Sequence, residues 1–279
     1  MEYINESVLS DTLCPEEIRV NLKTNIIGSE IVYYPSIGST NDEAKKMANE
    51  GCQEGTLVIA EHQTGGRGRK GRTWDSPFGM GICASIVLRP QISPLKAAVL
   101  TLVTAVSTCR ALKLFTGLPV KIKWPNDLRI NHKKIGGILT ELNVETGSVN
   151  HAVVGIGINV NNKIFPDELK QIATSLVIES GNKTEFNRAL ILCSILNEFE
   201  CDYKAFVSGH LEDLLNEWRG YSDTLGSIVQ VVGINNSHIE GKAVDIDNDG
   251  ALLIEKKDGT IIRVISGDVS IKDLGSNRK

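Results

Sequence analysis

Residues 65–74 read Gly-Gly-Arg-Gly-Arg-Lys-Gly-Arg-Thr-Trp, the most distinctive stretch of the sequence, which we call the arginine–glycine loop. Its four glycines allow sharp turns and a close approach of the backbone to a ligand. Its four cations lie within six residues and repel one another unless an anion binds among them. Guanidinium groups donate paired hydrogen bonds to carboxylates and phosphates, so the stretch predicts an anion-binding loop. A solvated basic loop or a nucleic-acid patch is the alternative.

Two familiar motifs occur in the sequence without the context that they need. Gly66 to Gly71 has the spacing Gly-x-Gly-x-x-Gly, but a dinucleotide fold requires a helix directly afterwards. The following segment, Thr-Trp-Asp-Ser-Pro-Phe-Gly at 73–79, predicts a loop instead. Residues 245–250 open like a calcium loop, but Lys256 stands where the bidentate glutamate belongs, so we predict a tight hairpin turn.

The composition excludes several classes of protein. The chain has 279 residues, of which 41% are hydrophobic and 23% charged, as in soluble globular proteins. Its net charge of −4 argues against a protein that coats nucleic acid or an anionic membrane. The six cysteines never form Cys-x-x-Cys and no two histidines have metal-ligand spacing, so we expect reduced thiols and no zinc site. The N-terminus lacks a leader pattern, and the apolar run 97–109 is too short and threonine-rich to span a membrane. We therefore expect a cytoplasmic protein.

On both sides of the arginine–glycine loop, the pattern predicts alternating strands and helices. Apolar and β-branched runs predict strands at 31–34, 57–60, 81–88, 120–124, 128–130, 135–142 and 149–159. Helices are predicted near Pro15, after the Ser39-Thr40 cap, from Pro94 to about Phe115, and over Phe186–Phe206. Residues 1–30 otherwise resemble a poorly defined extension.

The pattern changes after Gly226 to short strands at 228–233, 239–245, 251–255 and 260–265. Turn signals join them at Asn235-Asn236, Asn248-Asp249-Gly250 and Asp258-Gly259. We therefore predict a separate small β-barrel. The predicted division is an extension at 1–30, a catalytic domain at 31–225 and a C-terminal barrel at 226–279.

Three further segments combine polar residues with strand ends. Lys123-Trp124-Pro125-Asn126-Asp127 could bind phosphate and magnesium, or form a simple turn. The segment 133–139, Lys-Lys-Ile-Gly-Gly-Ile-Leu, places a lysine at the start of a buried strand, where it could reach a ligand or remain an ordinary surface charge. In the segment 155–159, Gly-Ile-Gly-Ile-Asn, the asparagine could bind a sugar hydroxyl or end the strand.

Taken in order, these segments resemble the biotin protein ligases. The matching pieces are 39–41, Gln63 with 65–74, 123–127, 134–139 and 155–159, within a resemblance from about Ile31 to the C-terminus. The resemblance implies an α/β (α+β) mixed-sheet catalytic domain followed by an SH3-like β-barrel. It also implies two steps: ATP activates biotin as biotinyl-AMP, and a lysine of a biotin carboxyl carrier domain then receives the biotin.

The resemblance implies a role for each matching residue. Biotin is expected to contact Ser39, Thr40, Asn41, Gln63, Gly66, Arg67, Arg69, Lys134 and Gly137. ATP is expected to contact Arg69, Trp74, Lys123, Asn126, Asp127, Lys134 and Asn159, with Asp127 serving Mg²⁺. The catalytic groups would be Lys134, Arg67 and Arg69, whose positive charge offsets the repulsion between the biotin carboxylate and the α-phosphate.

Larger members of the family carry an N-terminal DNA-binding helix-turn-helix. Only about thirty residues precede the predicted catalytic domain here, and 13–18 resemble the linker after that module. We therefore expect the monofunctional form, with no DNA partner, no membrane partner and a possible homodimer. A lipoate-type ligase and a biotin-sensing DNA-binding repressor are the alternative functions.

Overall fold

The computed structural model describes residues 11–181, 185–232 and 238–271. The strands of its main sheet are β1 (Ile31–Tyr34), β2 (Leu57–Ala60), β3 (Gly81–Leu88), β4 (Lys121–Lys123), β5 (Asp127–Ile130), β6 (Lys133–Glu145) and β7 (Ser148–Asn159). They form a seven-stranded sheet in the order β1-β2-β3-β7-β6-β5-β4. β1 and β2 run parallel, whereas the other neighbours are antiparallel. The predicted mixed-sheet α/β architecture is confirmed.

Helices cover both faces of this sheet. They are α1 (Pro15–Asn21), α2 (Thr40–Asn49), α3 (Ala97–Thr116), α4 (Leu176–Glu179), α5 (Arg188–Val207) and α6 (Glu212–Tyr221). Side chains alternate between the two faces of a strand, so Leu57 and Ile59 join the large core formed with α3 and α5, whereas Val58 packs with Ala44 of α2. β2 and β3 are therefore buried along their whole length. The short helices α4 and α6 were not predicted from the sequence.

The segment from 94 to 116 is apolar because it is a core helix. By length and composition alone it could cross a membrane, with a mean hydropathy of 1.5, because the helix extends beyond the apolar run 97–109 in both directions. However, 67% of its apolar window is buried inside the fold, where α3 packs against α5. That burial accounts for its composition. All six cysteines are free thiols in this structure.

The described part of the N-terminal segment is packed into the main body. Leu13, Ile18 and Ile27 are at most 1% exposed and belong to the large core. Arg188 is fully buried, and its guanidinium binds Glu61 and Asp11, linking this segment to the residue after β2. The expectation of a poorly defined extension is therefore wrong for residues 11–30, whereas the predicted helix at Pro15 is confirmed. Residues 1–10 lie outside the described residues.

A second, antiparallel sheet follows the main body. Its strands are β8 (Ile228–Val232), β9 (His238–Ile246), β10 (Leu252–Glu255), β11 (Ile261–Val264) and β12 (Asp268–Ile271), in the order β11-β10-β9-β8-β12. The predicted tight turn is confirmed at 247–250, where Asp247 accepts hydrogen bonds from the backbone N–H groups of Asp249 and Ala251. Arg263 binds the carboxylates of Asp247 and Asp249. The predicted turn at Asn235-Asn236 and residues 272–279 lie outside the described residues. β12 was not predicted, and its pairing with β8 brings Asp268 to the main body.

Candidate active site

A cavity of about 310 Å³ lies at the N-terminal end of α2. It is lined by residues from the main sheet, the arginine–glycine loop and β12. The charged lining residues are Arg67, Arg69, Arg72, Lys123, Lys134, Asp127 and Asp268. Five cations against two carboxylates give this cavity a positive charge, although the whole chain carries −4. The cavity therefore suits an anionic ligand.

Glycines in β7 allow other residues to approach the sheet closely. A Cβ on Gly155 would lie 2.1 Å from the Asn41 side-chain oxygen, and one on Gly157 would lie 2.8 Å from the Trp74 ring. Real Cβ atoms do not come so near to other heavy atoms, so a side chain at either position would displace Asn41 or Trp74. The segment 155–159 is therefore a stretch of strand in which glycines 155 and 157 leave room for the N-terminus of α2 and for Trp74.

One end of the cavity is polar but uncharged. The Ser39 hydroxyl caps α2, accepting from the Asp42 backbone N–H at 3.5 Å. The backbone N–H and the hydroxyl of Thr40 lie 2.8 and 3.0 Å from the side-chain oxygen of Gln63. The backbone N–H of Gln63 donates to the Ser76 hydroxyl at 3.0 Å. Thr40 and Gln63 are thereby held in one orientation towards the cavity.

The other end carries the cations. Lys134 Nζ lies 2.5 Å from an Asp127 carboxylate oxygen and 5.8 Å from the centre of the Trp74 ring. Arg69 reaches the Asn126 side-chain oxygen at 3.4 Å. Burial lowers the pKa of Arg69, although Asp268 and Asp127 oppose that shift. Burial also lowers the pKa of Lys123, so these cations are partly desolvated and would interact strongly with an anion.

Carboxylates at both ends hold the arginine–glycine loop. Arg67 binds Asp42 of α2, and Arg72 binds Asp268 of β12. Lys70 also reaches Asp268, at 3.2 Å, through a backbone turn in which its φ is +56°. The loop thus already has two protein anions among its cations. The repulsion expected from the sequence is offset inside the chain.

The structure brings most of the predicted site residues to this cavity. Those lining it are Ser39, Thr40, Asn41, Gln63, Arg67, Arg69, Trp74, Lys123, Asn126, Asp127, Lys134 and Gly137. Gly66 is not among the lining residues; a Cβ there would lie 2.5 Å from the Trp74 carbonyl oxygen. Asn159 is not among them either, because it is buried and its amide donates to the Thr174 carbonyl at 3.2 Å.

The contribution of the second sheet to the cavity was not predicted from the sequence. Asp268, Val269 and Ser270 line the cavity, but β12 was not predicted and no local motif marks it. Glycines 155 and 157 were noticed only as part of a strand. Cys83 lies in β3 near the site, and burial raises the pKa of its thiol to about 11, which makes it a poor nucleophile. Among the described residues, no group of three or more His, Cys, Asp or Glu side chains could hold a metal.

Comparison with known families identifies two matching segments. The sequence profile of the Biotin/lipoate A/B protein ligase family matches residues 33–159, which include the arginine–glycine loop and the strands under the cavity. The profile of the Biotin protein ligase C terminal domain matches residues 224–272, which include the second sheet.

Individual relatives match nearly the whole chain. The Bifunctional ligase/repressor BirA of Bacillus spizizenii is 41% identical over 261 residues, covering 93% of this chain and 79% of that protein. The Biotin--[acetyl-CoA-carboxylase] ligase of Mycobacterium tuberculosis is 30% identical, covering 93% of this chain and 97% of that protein. The structure of a biotin protein ligase from Aquifex aeolicus in complex with biotin and ATP superposes with a TM-score of 0.75 at 31% identity, covering 88% of this chain and 99% of that one.

Proposed function

The chain belongs to the biotin/lipoate A/B protein ligase family, and we propose that it is an ATP-dependent biotin protein ligase. The observation that carries the proposal is the cavity, in which an uncharged polar end beside Thr40 and Gln63 is continuous with a strongly cationic end. Biotin has the same polarity, with a cyclic urea at one end and a carboxylate at the other. Two of the relatives above are named as biotin ligases, and one was solved with biotin and ATP.

In the first step, a biotin carboxylate oxygen attacks the α-phosphorus of ATP, the bond to the β-phosphate bridging oxygen breaks, and pyrophosphate leaves. Two anions must meet, so the partly desolvated Arg69, Lys123 and Lys134 would offset their repulsion. Arg67 and Arg69 would close over the ligand, and Trp74 would form a wall beside the nucleotide. Catalysis rests on positioning and electrostatics, without a protein nucleophile.

In the second step, the neutral amine of a carrier lysine attacks the carbonyl carbon of biotinyl-AMP. The carbon–oxygen bond to phosphate breaks, AMP leaves, and the attacking nitrogen loses a proton to form the amide. We propose that the acceptor is a biotin carboxyl carrier domain. The name of the mycobacterial relative, a ligase for acetyl-CoA carboxylase, supports this choice.

We propose that Mg²⁺ enters with ATP and that Asp127 serves it. Mg²⁺ is commonly held by one or two carboxylates together with substrate phosphates, so a single carboxylate beside the cations fits a metal that the nucleotide largely binds. When bound, Mg²⁺ would neutralise charge on the phosphates. Asp127 itself orients Lys134 through their ion pair. Asp127→Asn should therefore raise the magnesium concentration needed for half-maximal pyrophosphate exchange, and an unchanged magnesium dependence would remove Asp127 from this role.

Pyrophosphate exchange with alternative acids tests the proposed function. Biotin should support exchange of labelled pyrophosphate into ATP, and mass spectrometry should detect bound biotinyl-AMP. Lipoate has a dithiolane ring without N–H or C=O groups, so it would leave Thr40 and Gln63 unpaired. Exchange with lipoate but not with biotin would establish the lipoate-type alternative. A purified carrier domain should then gain biotin on one lysine.

The remaining proposals concern organisation. We propose an N-terminal segment at 1–30, of which 11–30 pack into the main body, a catalytic domain at 31–225 and an SH3-like barrel at 226–279. The two matched profiles and the two sheets support the division between the last two. A homodimer is proposed through a sheet edge, because residues 139–145 of β6 pair only with β7 among the described strands. Sedimentation equilibrium would test it.

We also propose the monofunctional form, without sequence-specific DNA binding. Support comes from residues 11–30, whose single described helix packs against α5. The cytoplasm is the proposed compartment, because the reaction consumes ATP and all six cysteines are free thiols.

A further inference from the structure

A chain of hydrogen bonds connects Glu141, which does not line the cavity, to Thr40, which does. Glu141 lies on β6. One of its carboxylate oxygens accepts from Lys45 Nζ at 2.9 Å, and the other accepts from the Asn41 amide nitrogen at 2.8 Å. Ser85 of β3 then joins Asn41 to Thr40. We call these four residues, Glu141, Asn41, Ser85 and Thr40, the polar relay.

The first link fixes the orientation of the Asn41 amide. Its nitrogen faces two groups that can only accept, the Glu141 carboxylate and, at 3.3 Å, the Leu139 carbonyl. Both amide hydrogens are thereby used, and the Asn41 oxygen must point towards Ser85. Gly155 leaves room for this oxygen, since a Cβ there would lie only 2.1 Å from it.

The next links fix the hydroxyl hydrogens. The Ser85 oxygen lies 2.6 Å from the Asn41 oxygen, which cannot donate, so the single hydroxyl hydrogen of Ser85 goes to Asn41. Ser85 can then only accept from Thr40, 2.8 Å away. The Thr40 hydrogen therefore goes either to Ser85 or to the Gln63 oxygen at 3.0 Å, and in both cases it stays within the protein.

The outcome is a defined polarity at the uncharged end of the cavity. Thr40 can offer only an oxygen lone pair to a ligand. Gln63 uses its oxygen to accept from the Thr40 backbone N–H at 2.8 Å, so its amide nitrogen remains as a donor. Ser85, Thr40 and Asn41 are between 0 and 6% exposed, so water has little access to reverse these directions.

We propose that Glu141 is a positioning and specificity-determining residue, which through Asn41 and Ser85 makes Thr40 an obligatory acceptor beside the donor Gln63. Such a pair selects a ring that presents an N–H next to a C=O, as a cyclic urea does. The proposal rests on the proposed function, because it takes biotin as the ligand. Glu141 acts only through other side chains.

The variant Glu141→Gln should reverse the relay. Lys45 can only donate, so the oxygen of the new amide turns towards Lys45 and its nitrogen faces Asn41. The contact with residue 141 is shorter than the contact with the Leu139 carbonyl, 2.8 against 3.3 Å, so we expect Asn41 to give up the Leu139 contact and turn its oxygen towards the new nitrogen. Its amide nitrogen then faces Ser85. Ser85 now donates to Thr40, which occupies a lone pair of the Thr40 oxygen that the ligand N–H would otherwise use. The Thr40 hydrogen also loses Ser85 as an acceptor, so only Gln63 can keep it away from the ligand. Biotin affinity should fall roughly 10- to 100-fold.

Two further variants separate hydrogen-bond polarity from general damage. The double variant Lys45→Met with Glu141→Gln removes the donor that orients the new amide, so its oxygen can again face Asn41 and much of the affinity should return. Glu145→Gln is the matched control, because Glu145 lies on the same strand, accepts from Asn150 at 3.0 Å and does not line the cavity.

The experiment measures binding by calorimetry without ATP, using biotin and a cyclic carbamate analogue in which ring oxygen replaces the N–H that faces Thr40. The unaltered chain and Glu145→Gln should prefer biotin at least about tenfold. Glu141→Gln should lose most of that preference, and the double variant should recover it. Should Glu141→Gln fail to fold, Ser85→Ala tests the same point, because it removes one of the two protein acceptors of the Thr40 hydrogen and the preference should again shrink.

The outcomes distinguish this proposal from the proposed function. If the unaltered chain does not bind biotin, the proposed function fails. If it binds biotin but Glu141→Gln or Ser85→Ala keeps the same preference over the carbamate, the relay does not set the polarity and the proposal is overturned. Loss of affinity in Glu141→Gln without recovery in the double variant would also overturn it, because the damage would then be structural.

Discussion

Replacing Asp268 by asparagine should loosen the arginine–glycine loop while leaving the main-sheet strands under the cavity intact. Asp268 starts β12 and binds Arg72 and Lys70 of the loop. Burial opposes the ionisation of Asp268, but hydrogen bonds from Arg72 and Lys70 outweigh it and lower the pKa. The carboxylate is thus charged at neutral pH, and its ion pairs should weaken only as the pH falls below about 4, towards the lowered pKa.

The expected magnitude follows from the exposure of these groups. The side chains of Asp268, Lys70 and Arg72 are 37%, 43% and 58% exposed. Ion pairs at such exposure contribute about 0.2–1 kcal/mol each, so two pairs should together contribute roughly 0.4–2 kcal/mol. If loop opening is fast relative to cleavage, this corresponds to an increase of roughly 2- to 30-fold in the open population.

Limited trypsin digestion measures that population directly, because each of the four cations in the loop is a cleavage site. Cleavage within 65–74 should be faster in Asp268→Asn than in the unaltered chain, and biotin with ATP should slow it in both. Asp258→Asn is the matched control, since Asp258 is an exposed carboxylate in a hairpin turn of the same sheet. Equal cleavage rates in Asp268→Asn and Asp258→Asn would refute the view that β12 holds the loop.

Three further predictions concern the cationic end of the cavity, the glycine of β7 beneath Asn41, and DNA binding by the whole chain. Lys134→Ala should lower pyrophosphate exchange roughly 10- to 100-fold while calorimetry shows biotin binding largely retained, with Lys133→Ala as the control; near-normal exchange would contradict the role of Lys134. Gly155→Ala should weaken biotin binding at least about tenfold, measured by calorimetry, because its Cβ would lie 2.1 Å from the Asn41 oxygen. Gly220→Ala is the control: a Cβ there has no heavy atom within 4 Å, so this variant should bind biotin normally. The 279-residue chain should show no saturable nanomolar binding to one promoter sequence over scrambled DNA at physiological salt, measured by fluorescence anisotropy.

Elements with a strong internal period could be predicted from the sequence. The helix over 186–206 was read from apolar residues at spacings of three and four, and α5 occupies Arg188–Val207. The cap at Ser39 was read from the residue type, and its hydroxyl does accept from the Asp42 N–H. By contrast, α4 has only four residues, too few for a clear period. α6 has ten residues, as α2 does, but it begins after Leu211, which makes no capping hydrogen bond, so no residue type marks its start.

The contribution of β12 could not be predicted, because it depends on contacts between distant parts of the chain. Lys70 and Asp268 are 198 positions apart, and neither the four-residue strand nor its turn carries a motif. From the sequence, the loop cations are expected to need an external anion, whereas Asp42 and Asp268 supply two carboxylates from within the fold.

Hydrogen-bond direction is a further property that residue types alone do not give. Thr40 and Gln63 were predicted to bind biotin, but a threonine hydroxyl can donate or accept. Its direction here depends on Glu141, 101 positions away, through two buried intermediates. A sequence motif can therefore name the residues that touch a ligand without specifying which polar groups they present to it.

The separation of the two ends of the cavity determines how damage at each should appear in kinetics. Thr40 and Gln63 would contact a ring that does not change during the reaction, so their interactions are equally strong in the ground state and the transition state. Losing them should raise KM for biotin with little effect on kcat. Lys134 and Arg69 would face charge that accumulates only as carboxylate and phosphate approach, so losing them should lower kcat. The polar relay belongs to the first class and the Lys134–Asp127 pair to the second, because one orients groups at the uncharged end and the other orients a cation at the reacting end.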